Sequence, residues 1–385
     1  MCYNDACETC PGGLAIRIAH LALTNFRNYQ HLDLDLPPNT AVLQGDNAQG
    51  KTNFLEAIYL LATTRSQRAT AERELISWSI PSDEPVVARL VAQVQKTTAS
   101  LQVELVLTAA ERSPETLVQK RIKINGVPRR AIDVVGQLNV VLFSPTDIDL
   151  IGGAPSLRRR YLDITVSQFN HKYLRSLQRY NKVIQQRNHL LKLIAERRAY
   201  ADQLDFWDQE LLEHGGYIAT QRFEAVSDLN LLSQPIHHGI SSGENLQVNY
   251  LPSAVEDFSQ GLKRIRQEEI ARGMSLMGPH RDDLKFIVND SDIGVYGSRG
   301  QQRTVALSLR LAEARLLQSK TGEEPVMLLD DVLSELDATR RHRLLSSVSS
   351  YQQVLITTTD LDHFDPDFLS KATLFHVSSG NINPA

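Results

Sequence analysis

The sequence contains little cysteine and no long apolar run, and both absences narrow its possible classes. Its three cysteines, Cys2, Cys7 and Cys10, all lie in the first ten residues, so the remaining residues have no disulfide framework. The same opening segment is polar and contains glycine and proline, which argues against a secretory signal. No run approaches the roughly 18 apolar residues of a membrane helix. We therefore expect a cytoplasmic protein that does not contact the membrane.

The opening segment carries one pattern that could suggest a metal. Cys7 and Cys10 have the spacing of half a zinc site, but a structural zinc site needs four ligands and only Cys2 lies nearby. We therefore predict that residues 1–15 form a disordered N-terminal extension.

The clearest motif is a phosphate-binding loop that matches G-x-x-x-x-G-K-[ST] at each fixed position. Its residues are Gly45, Asp46, Asn47, Ala48, Gln49, Gly50, Lys51 and Thr52. A short apolar run precedes the loop and a helical pattern follows it, which is the setting that this motif requires. Backbone N–H groups and the positive end of the helix would bind the phosphates of ATP. In this role Lys51 contacts the β- and γ-phosphates and Thr52 ligates Mg²⁺.

A second, acidic motif lies far along the chain at residues 326–337. Four apolar residues precede Asp330 and Asp331, which predicts a strand buried on both faces with two carboxylates at its end. Asp330 is placed to hold Mg²⁺, and Asp331 is placed to act as the hydrolytic base. One nucleotide site needs both motifs, so the chain must return to the loop after residue 325.

A third motif at residues 297–303 opens another helix, and its pattern leaves two interpretations open. Ser298, Gly300 and Gln301 could bind an anion at the helix N-terminus. Ser298 could equally be an ordinary helix cap. If two copies of the chain associate, this turn could complete the ATP site of the other copy.

Basic residues concentrate in one segment although the whole chain has a net charge of -4. Residues 158–198 contain eleven basic and two acidic residues, a net charge of +9. Such a segment is typical of phosphate binding, whereas a short basic run is more often a solvated helix face. The predicted DNA contacts are Arg158, Arg159, Arg160, Lys172, Arg175, Arg179 and Lys182.

Together, these motifs resemble those of an ABC-type ATPase, and more closely those of the RecF family. The blocks that carry the second resemblance include residues 23–29, 143–147, 158–163, 277–284 and 300–303. The resemblance spans residues 16–377 and implies an ATP-dependent dimer that binds single-stranded, duplex or junction DNA. It further implies slow ATP hydrolysis, cooperation with RecO and RecR, loading of RecA, and association with the nucleoid.

Two positions depart from the related ATPases. Ser144 and Pro145 stand where ABC and SMC heads carry a magnesium-binding glutamine. No histidine occupies residues 358–360, where transporters carry a switch histidine. Arg27 matches the position of a nucleotide-proximal arginine, although an exposed surface arginine would fit the pattern as well.

The predicted fold is an α/β ABC-type ATPase head of two lobes with an inserted helical arm. Lobe I spans residues 16–153, the arm 154–243 and lobe II 244–379, followed by a frayed tail at 380–385. Within the arm, Gly215 and Gly216 predict a helix break, and residues 234–243 predict a loop.

The protein is expected to be mainly an ATP-switched DNA-binding protein with weak ATPase activity. The alternatives are an SMC-like DNA-tethering ATPase, a transporter subunit and an ATP-gated nuclease of the overcoming-lysogenisation-defect type. The inserted segment is too short for a long coiled coil, and the missing switch histidine argues against a transporter.

Overall fold

The computed structural model describes residues 14–80, 85–97, 99–111, 113, 116–241, 243–254 and 257–385. The three cysteines and nearly all of the predicted N-terminal extension lie outside this part of the chain.

The strands have the following bounds: β1 Leu14–Phe26, β2 Tyr29–Asp35, β3 Thr40–Gln44, β4 Val87–Lys96, β5 Ser100–Ala109, β6 Val118–Ile124, β7 Val127–Arg129, β8 Val140–Phe143, β9 Leu246–Leu251, β10 Asp283–Val288, β11 Ser291–Asp292, β12 Glu323–Glu324, β13 Val326–Asp330, β14 Val354–Thr358, β15 Thr373–Ser378 and β16 Asn381–Pro384. The helices have the following bounds: α1 Lys51–Thr63, α2 Ala131–Val134, α3 Ile148–Gly152, α4 Pro155–Phe169, α5 His171–Ala195, α6 Leu204–Ile240, α7 Phe258–Arg272, α8 Ile293–Tyr296, α9 Arg299–Thr321, α10 Ala338–Val348 and α11 Pro366–Leu369. This mixture of helices and sheets confirms the predicted α/β class.

The chain divides into two compact units. Unit 1 contains residues 1–134, 138–142 and 317–385, and unit 2 contains residues 135–137 and 143–316. The phosphate-binding loop and the acidic strand therefore belong to unit 1, and the turn at Ser298 belongs to unit 2 with the helical arm. These divisions fall at other positions than the three predicted domains, whose boundaries stay a prediction.

Unit 1 contains the sheet that positions both the phosphate-binding loop and the acidic motif. Its strand order is β16-β15-β3-β14-β13-β8, and β14 pairs in parallel with both β3 and β13. All five residues of β13 are buried, as its apolar run predicts. Because parallel strands end at one edge, Gln44, Thr358 and Asp330 lie at the same edge of the sheet. The other sheet has the order β12-β1-β4-β5-β6-β7, with β2 paired to β1.

Unit 2 is built around the helices of the predicted arm. Tyr173, Leu177 and Val183 of α5 share a buried cluster with Leu211 and Ile218 of α6. The spacing of these apolar residues follows the helical period, so one face of each helix is buried. A small sheet of order β11-β10-β9 completes the unit.

Three local predictions are wrong. Helix α6 runs through Gly215 and Gly216, and a Cβ on Gly215 would lie 2.9 Å from the ring of Phe258. That glycine therefore permits close packing and does not end the helix. The predicted loop from residue 234 is also helical to Ile240, and it includes Pro235. The predicted frayed tail instead forms β16, which pairs antiparallel with β15.

Candidate nucleotide-binding site

The phosphate-binding loop adopts a shape that two glycines make possible. It connects β3 to α1, and Gly50 has a φ of 118°. A Cβ on Gly50 would lie 2.6 Å from Asn28 Nδ2, and a Cβ on Gly45 would lie 2.3 Å from the carbonyl oxygen of Val377. Gly45 is required because the Cβ would overlap a backbone carbonyl, and Gly50 is favoured because its positive φ is strained for other residues.

The loop is held by neighbouring residues of unit 1. Tyr29 donates its hydroxyl hydrogen bond to the Gly50 carbonyl at 3.0 Å. Asn28 Nδ2 donates to the Gln49 carbonyl at 2.9 Å, and the Gly380 N–H donates to the same oxygen at 3.0 Å. The loop is thus held by the turn between β1 and β2, by the first residue of β2 and by the C-terminal hairpin.

The phosphate-binding loop at residues 45–52 forms a cradle whose hydrogen-bond donors are Lys51 and backbone N–H groups. Lys51 is 6% exposed, and its Nζ donates to the carbonyls of Gly45 at 2.6 Å and Asp46 at 2.9 Å. Burial lowers the pKa of Lys51, while the carboxylates of Asp331 and Asp330 act in the opposite direction. Within the described part of the chain, the N–H groups of residues 46–50 donate no hydrogen bond. This set of free donors fits the phosphates of a nucleotide.

Two oxygen side chains meet at the end of the acidic strand. Thr52 Oγ1 donates to Asp330 Oδ1 at 2.8 Å, and Thr357 Oγ1 donates to the same oxygen at 2.9 Å. Burial raises the pKa of Asp330. A hydroxyl and a carboxylate are ligands that suit Mg²⁺, which keeps water and phosphate oxygens as its other ligands. The described residues contain no larger group of His, Cys, Asp and Glu suited to a metal.

Asp331 is oriented by an unusual backbone conformation. Its φ is 49°, and its N–H donates to the Thr357 carbonyl at 3.2 Å. Among the described residues, its buried Oδ1 has no hydrogen-bond partner. Burial raises the pKa of this carboxyl, and Lys51 opposes the shift. A carboxylate with a free buried oxygen next to the phosphate-binding lysine is suited to accept a proton.

Two arginines near the loop have different environments. Arg27 forms two 2.9 Å hydrogen bonds with the carboxylate of Glu56, so it already has a buried partner. Arg68 is exposed, contacts Asn53 Oδ1 at 3.3 Å and lowers the pKa of Asp330 electrostatically. Arg68 could not be predicted from the sequence, because a single basic residue after a helix gives no pattern of its own.

The turn at Ser298 is a helix cap with an open glycine. The Ser298 hydroxyl accepts a 3.2 Å hydrogen bond from the Gln301 N–H, and Gln301 Oε1 accepts one from the Ser298 N–H. This reciprocal pair is a capping box. A Cβ on Gly300 would meet only the Ser298 hydroxyl, 3.9 Å away. Ser298 is therefore a helix cap, while nothing in the described part of the chain requires glycine at position 300.

The basic segment separates into buried and exposed residues. Arg158 is 8% exposed and makes 2.6 and 2.9 Å hydrogen bonds to Asp283, so the structure places this predicted DNA contact in an ion pair. Arg159 is partly buried and donates to the Asp282 carbonyl at 2.8 Å. Arg160 is exposed, as are the four predicted DNA contacts on α5: Lys172, Arg175, Arg179 and Lys182.

The neighbouring helix α6 compensates part of the basic charge. Arg187 of α5, which is fully buried, pairs with Asp208 at 2.7 Å and with Glu269 at 2.5 Å. Arg179 pairs with Glu210 at 2.6 Å. The charge of the basic segment is therefore partly neutralised by acidic residues outside it, Asp208 and Glu210 of α6 and Glu269 of α7. Among the described residues, the exposed Lys172, Arg175 and Lys182 have no acidic partner, and the Lys172 ammonium lies 4.4 Å from the centre of the Tyr217 ring.

Comparisons with known proteins identify the family. A family model described as the RecF/RecN/SMC N-terminal domain matches residues 17–375. The DNA replication and repair protein RecF of Herpetosiphon aurantiacus is 48% identical over 383 residues, which are 96% of this chain and 100% of that protein. The chain belongs to the RecF family. The RecF of Roseiflexus castenholzii is 46% identical over 392 residues, with the same two coverages.

Solved structures support the RecF assignment over the whole length. A structure titled as the recombination mediator protein RecF with ATP in the RecFOR pathway matches with a TM-score of 0.87 and 31% identity. It covers 98% of this chain and 100% of its own. An SMC head from Pyrococcus furiosus shares the fold with a TM-score of 0.54 and 14% identity, and it covers 96% of each chain. The SMC-like alternative is thus the weaker one. Among the described helices, none has the length and apolar content of a membrane span.

Proposed function

We propose that this RecF-family protein is an ATP-switched DNA-binding protein that hydrolyses ATP slowly. The observation that carries the proposal is the 2.8 Å hydrogen bond between Thr52 and Asp330, residues 278 positions apart. It joins the phosphate-binding loop to the acidic strand. The described contacts hold this arrangement within unit 1, so a single chain would bind ATP.

Each residue of the cradle has a role in this proposal. The N–H groups of residues 46–50 and Lys51 bind the phosphates, and Thr52 with Asp330 would hold Mg²⁺. The metal ion would neutralise phosphate charge when it is bound. Asp331 accepts the proton of the attacking water, which its unpaired buried oxygen and its position near Lys51 support.

A second copy of the chain completes the site. The open position at Gly300 and the exposed Ser298 support this step, because the turn presents a helix N-terminus to the outside of unit 2. Ser298, Gly300 and Gln301 of each copy would contact the γ-phosphate bound by the other copy. ATP binding would then be required for stable association.

DNA binds the exposed basic residues of α5. Lys172, Arg175 and Lys182 follow one another at helical spacings of three and seven residues, so they lie along one side of the helix. Arg160 and Arg179 extend this set, while Arg158 and Arg159 act mainly within the protein. A row of charges along one helix suits the phosphate backbone of single-stranded, duplex or junction DNA.

Family membership supports the wider role. The solved RecF structures are titled as recombination mediators of the RecFOR pathway. We infer that this protein acts with RecO and RecR, and that the ATP-bound dimer on DNA helps load RecA. In this scheme the arm of residues 154–243 is inserted between the two lobes of the ATPase head.

The deciding experiment measures DNA binding to duplex, single-stranded and gapped substrates, with and without ATP, across a salt series. ATP should raise the affinity for at least one substrate, and added salt should lower it steeply because phosphate contacts release counterions. Equal affinity with and without ATP would refute the switch.

A further inference from the structure

The turn at Ser298 is held by an acidic residue that lies outside it. Gln301 Nε2 donates a hydrogen bond to Glu244 Oε1 at 3.1 Å, across 57 positions of the chain. Both side chains are partly buried, and both residues belong to unit 2. The contact therefore joins the turn to the segment that follows the arm helix α6.

Glu244 is itself fixed at the end of α6. Its N–H donates to Ser241 Oγ at 3.2 Å, and that hydroxyl donates to the His237 carbonyl at 2.7 Å. Its other carboxylate oxygen lies 3.5 Å from Nε2 of His237, whose side chain is fully buried. His237 Nδ1 forms a 3.1 Å hydrogen bond with Ser308 of α9. These contacts connect the end of α6 with α9 at two places, the first turn of α9 and the turn that contains Ser308.

The carboxylate of Glu244 selects one orientation of the Gln301 amide. An ionised carboxylate only accepts hydrogen bonds, whereas an amide group has a donor end and an acceptor end. Glu244 therefore attracts Nε2, and Oε1 is left facing the Ser298 N–H, which donates to it at 3.2 Å. The reversed amide would place an oxygen against the carboxylate and an N–H group against the Ser298 N–H. Glu244 thus favours the orientation that the capping box requires.

The capping box determines which hydrogen bonds the Ser298 hydroxyl can still make. This oxygen accepts the Gln301 N–H at 3.2 Å. Within the described part of the chain, the same hydroxyl donates no hydrogen bond. Its hydrogen therefore remains available for an acceptor on another molecule, such as a phosphate oxygen.

We propose that Glu244 is a positioning residue for the turn at Ser298 and that His237 holds it in place. This inference rests on the proposed function, in which the turn completes the ATP site of a second copy. Glu244 acts without contacting the nucleotide. It orients Gln301, and Gln301 keeps Ser298 and Gly300 in the conformation that contacts the γ-phosphate bound by the other copy.

The test compares variants that keep or remove a hydrogen-bond acceptor at position 244. Glu244→Ala should raise the dissociation constant of the ATP-dependent dimer roughly 10-fold, the effect of losing one hydrogen bond to a charged group, with ATP affinity of one chain within about twofold. Glu244→Gln can still present an oxygen to Gln301 Nε2, so its dimer should stay within about threefold of wild type. Sedimentation with ATP measures the dimer, and calorimetry measures ATP affinity. Glu213→Ala removes an exposed acid of α6 and is the charge-matched control, which should associate as wild type.

A double-mutant cycle tests whether Glu244 acts through Gln301. Gln301→Ala removes the amide and should weaken the dimer at least as much as Glu244→Ala. The double variant should be no more than about threefold weaker than Gln301→Ala, because residues of one hydrogen-bond network are not additive. Fully multiplicative losses would overturn the proposal.

The remaining outcomes separate this inference from the proposed function. A wild-type dimer in Glu244→Ala, or equal losses in Glu244→Ala and Glu244→Gln, would overturn the positioning role. A fall in ATP affinity or in thermal stability in both variants would show that Glu244 supports the fold, and would overturn it too. If Ser298→Arg still forms ATP-dependent dimers, the proposed function itself fails. If Ser298→Arg loses them while Glu244→Ala keeps them, only the role of Glu244 is wrong.

Discussion

The phosphate-binding cradle and the turn at Ser298 differ in how closely other residues of the same chain pack against their glycines. In the cradle, a Cβ at Gly45 would meet a carbonyl oxygen at 2.3 Å. In the turn, a Cβ at Gly300 would lie 3.9 Å from its nearest neighbour. Glycine in the cradle is thus explained by packing within unit 1, whereas glycine in the turn has no internal explanation. The contrast supports our proposal that the cradle is one half of the ATP site and that the turn contacts a second copy of the chain.

The largest expected effect removes the cation from the cradle. Lys51→Ala should weaken ATP binding roughly 100-fold, because two charge-assisted hydrogen bonds to phosphate contribute about 3 kcal/mol together. Isothermal titration calorimetry with ATP measures the change. Lys371→Ala, an exposed lysine in unit 1, is the control and should bind as wild type. An unchanged affinity in Lys51→Ala would mean that the cradle does not hold the nucleotide.

The next largest effect should come from the turn at Ser298 and should change only the association of two copies. Ser298→Arg places a long cation at the exposed turn, so it should block association of two copies while leaving ATP binding by one chain unchanged. Sedimentation with and without ATP measures the dimer, and calorimetry measures the affinity. ATP-dependent dimers at wild-type concentrations would contradict the idea that the turn completes the other copy's site.

A pair of glycine substitutions sharpens the comparison directly. Gly45→Ala should lower the free energy of unfolding by about 1–3 kcal/mol, since its Cβ overlaps the Val377 carbonyl. Gly300→Ala should leave the stability of one chain the same or slightly higher, because alanine favours helix by up to about 1 kcal/mol. It should nevertheless weaken the ATP-dependent dimer. Urea unfolding of both variants measures the difference, and equal destabilisation would remove the contrast.

The smallest expected effect concerns the exposed face of α5, which is exposed to solvent like the turn at Ser298. Replacing Lys172, Arg175 and Lys182 by alanine should leave thermal stability unchanged and reduce DNA affinity on the order of tenfold. The dependence of log K on log salt should become shallower by about 2 to 3, close to 0.9 per lost phosphate contact. Substituting Lys263, Arg272 and Lys285 of unit 2 is the charge-matched control. An equal effect in the control would indicate that only net charge matters.

Contiguous motifs of the site were predictable, and contacts between distant segments were not. The loop at residues 45–52 and the acidic strand follow from local patterns, because strand, loop and helix are neighbours in the chain. The pairing of Arg187 with Asp208 and Glu269 could not be predicted, because the three residues lie on three different helices, α5, α6 and α7. A basic segment read alone therefore overstates the charge that reaches solvent.

The sequence predicts the fold better than it predicts where individual helices and strands end. Alternating and continuous apolar patterns indicated the strands around the loop and the helices of the arm. The sequence pattern predicts a helix break at Gly215, but the missing Cβ makes room for Tyr180 and Phe258. The role of a glycine depends on whatever packs against it, and a single sequence does not contain that information.

The hairpin between β15 and β16 contacts the phosphate-binding loop, so its amides can report on the state of that loop. Backbone N–H groups of Ser379 and Gly380 both donate to Gln49, which lies 330 residues before Ser379. Any tightening or loosening of the loop around a nucleotide would change the protection of these two amides from deuterium. Hydrogen exchange at the C-terminal peptide would then follow nucleotide occupancy without a label, and a tag fused after Ala385 would risk disturbing what it is meant to observe.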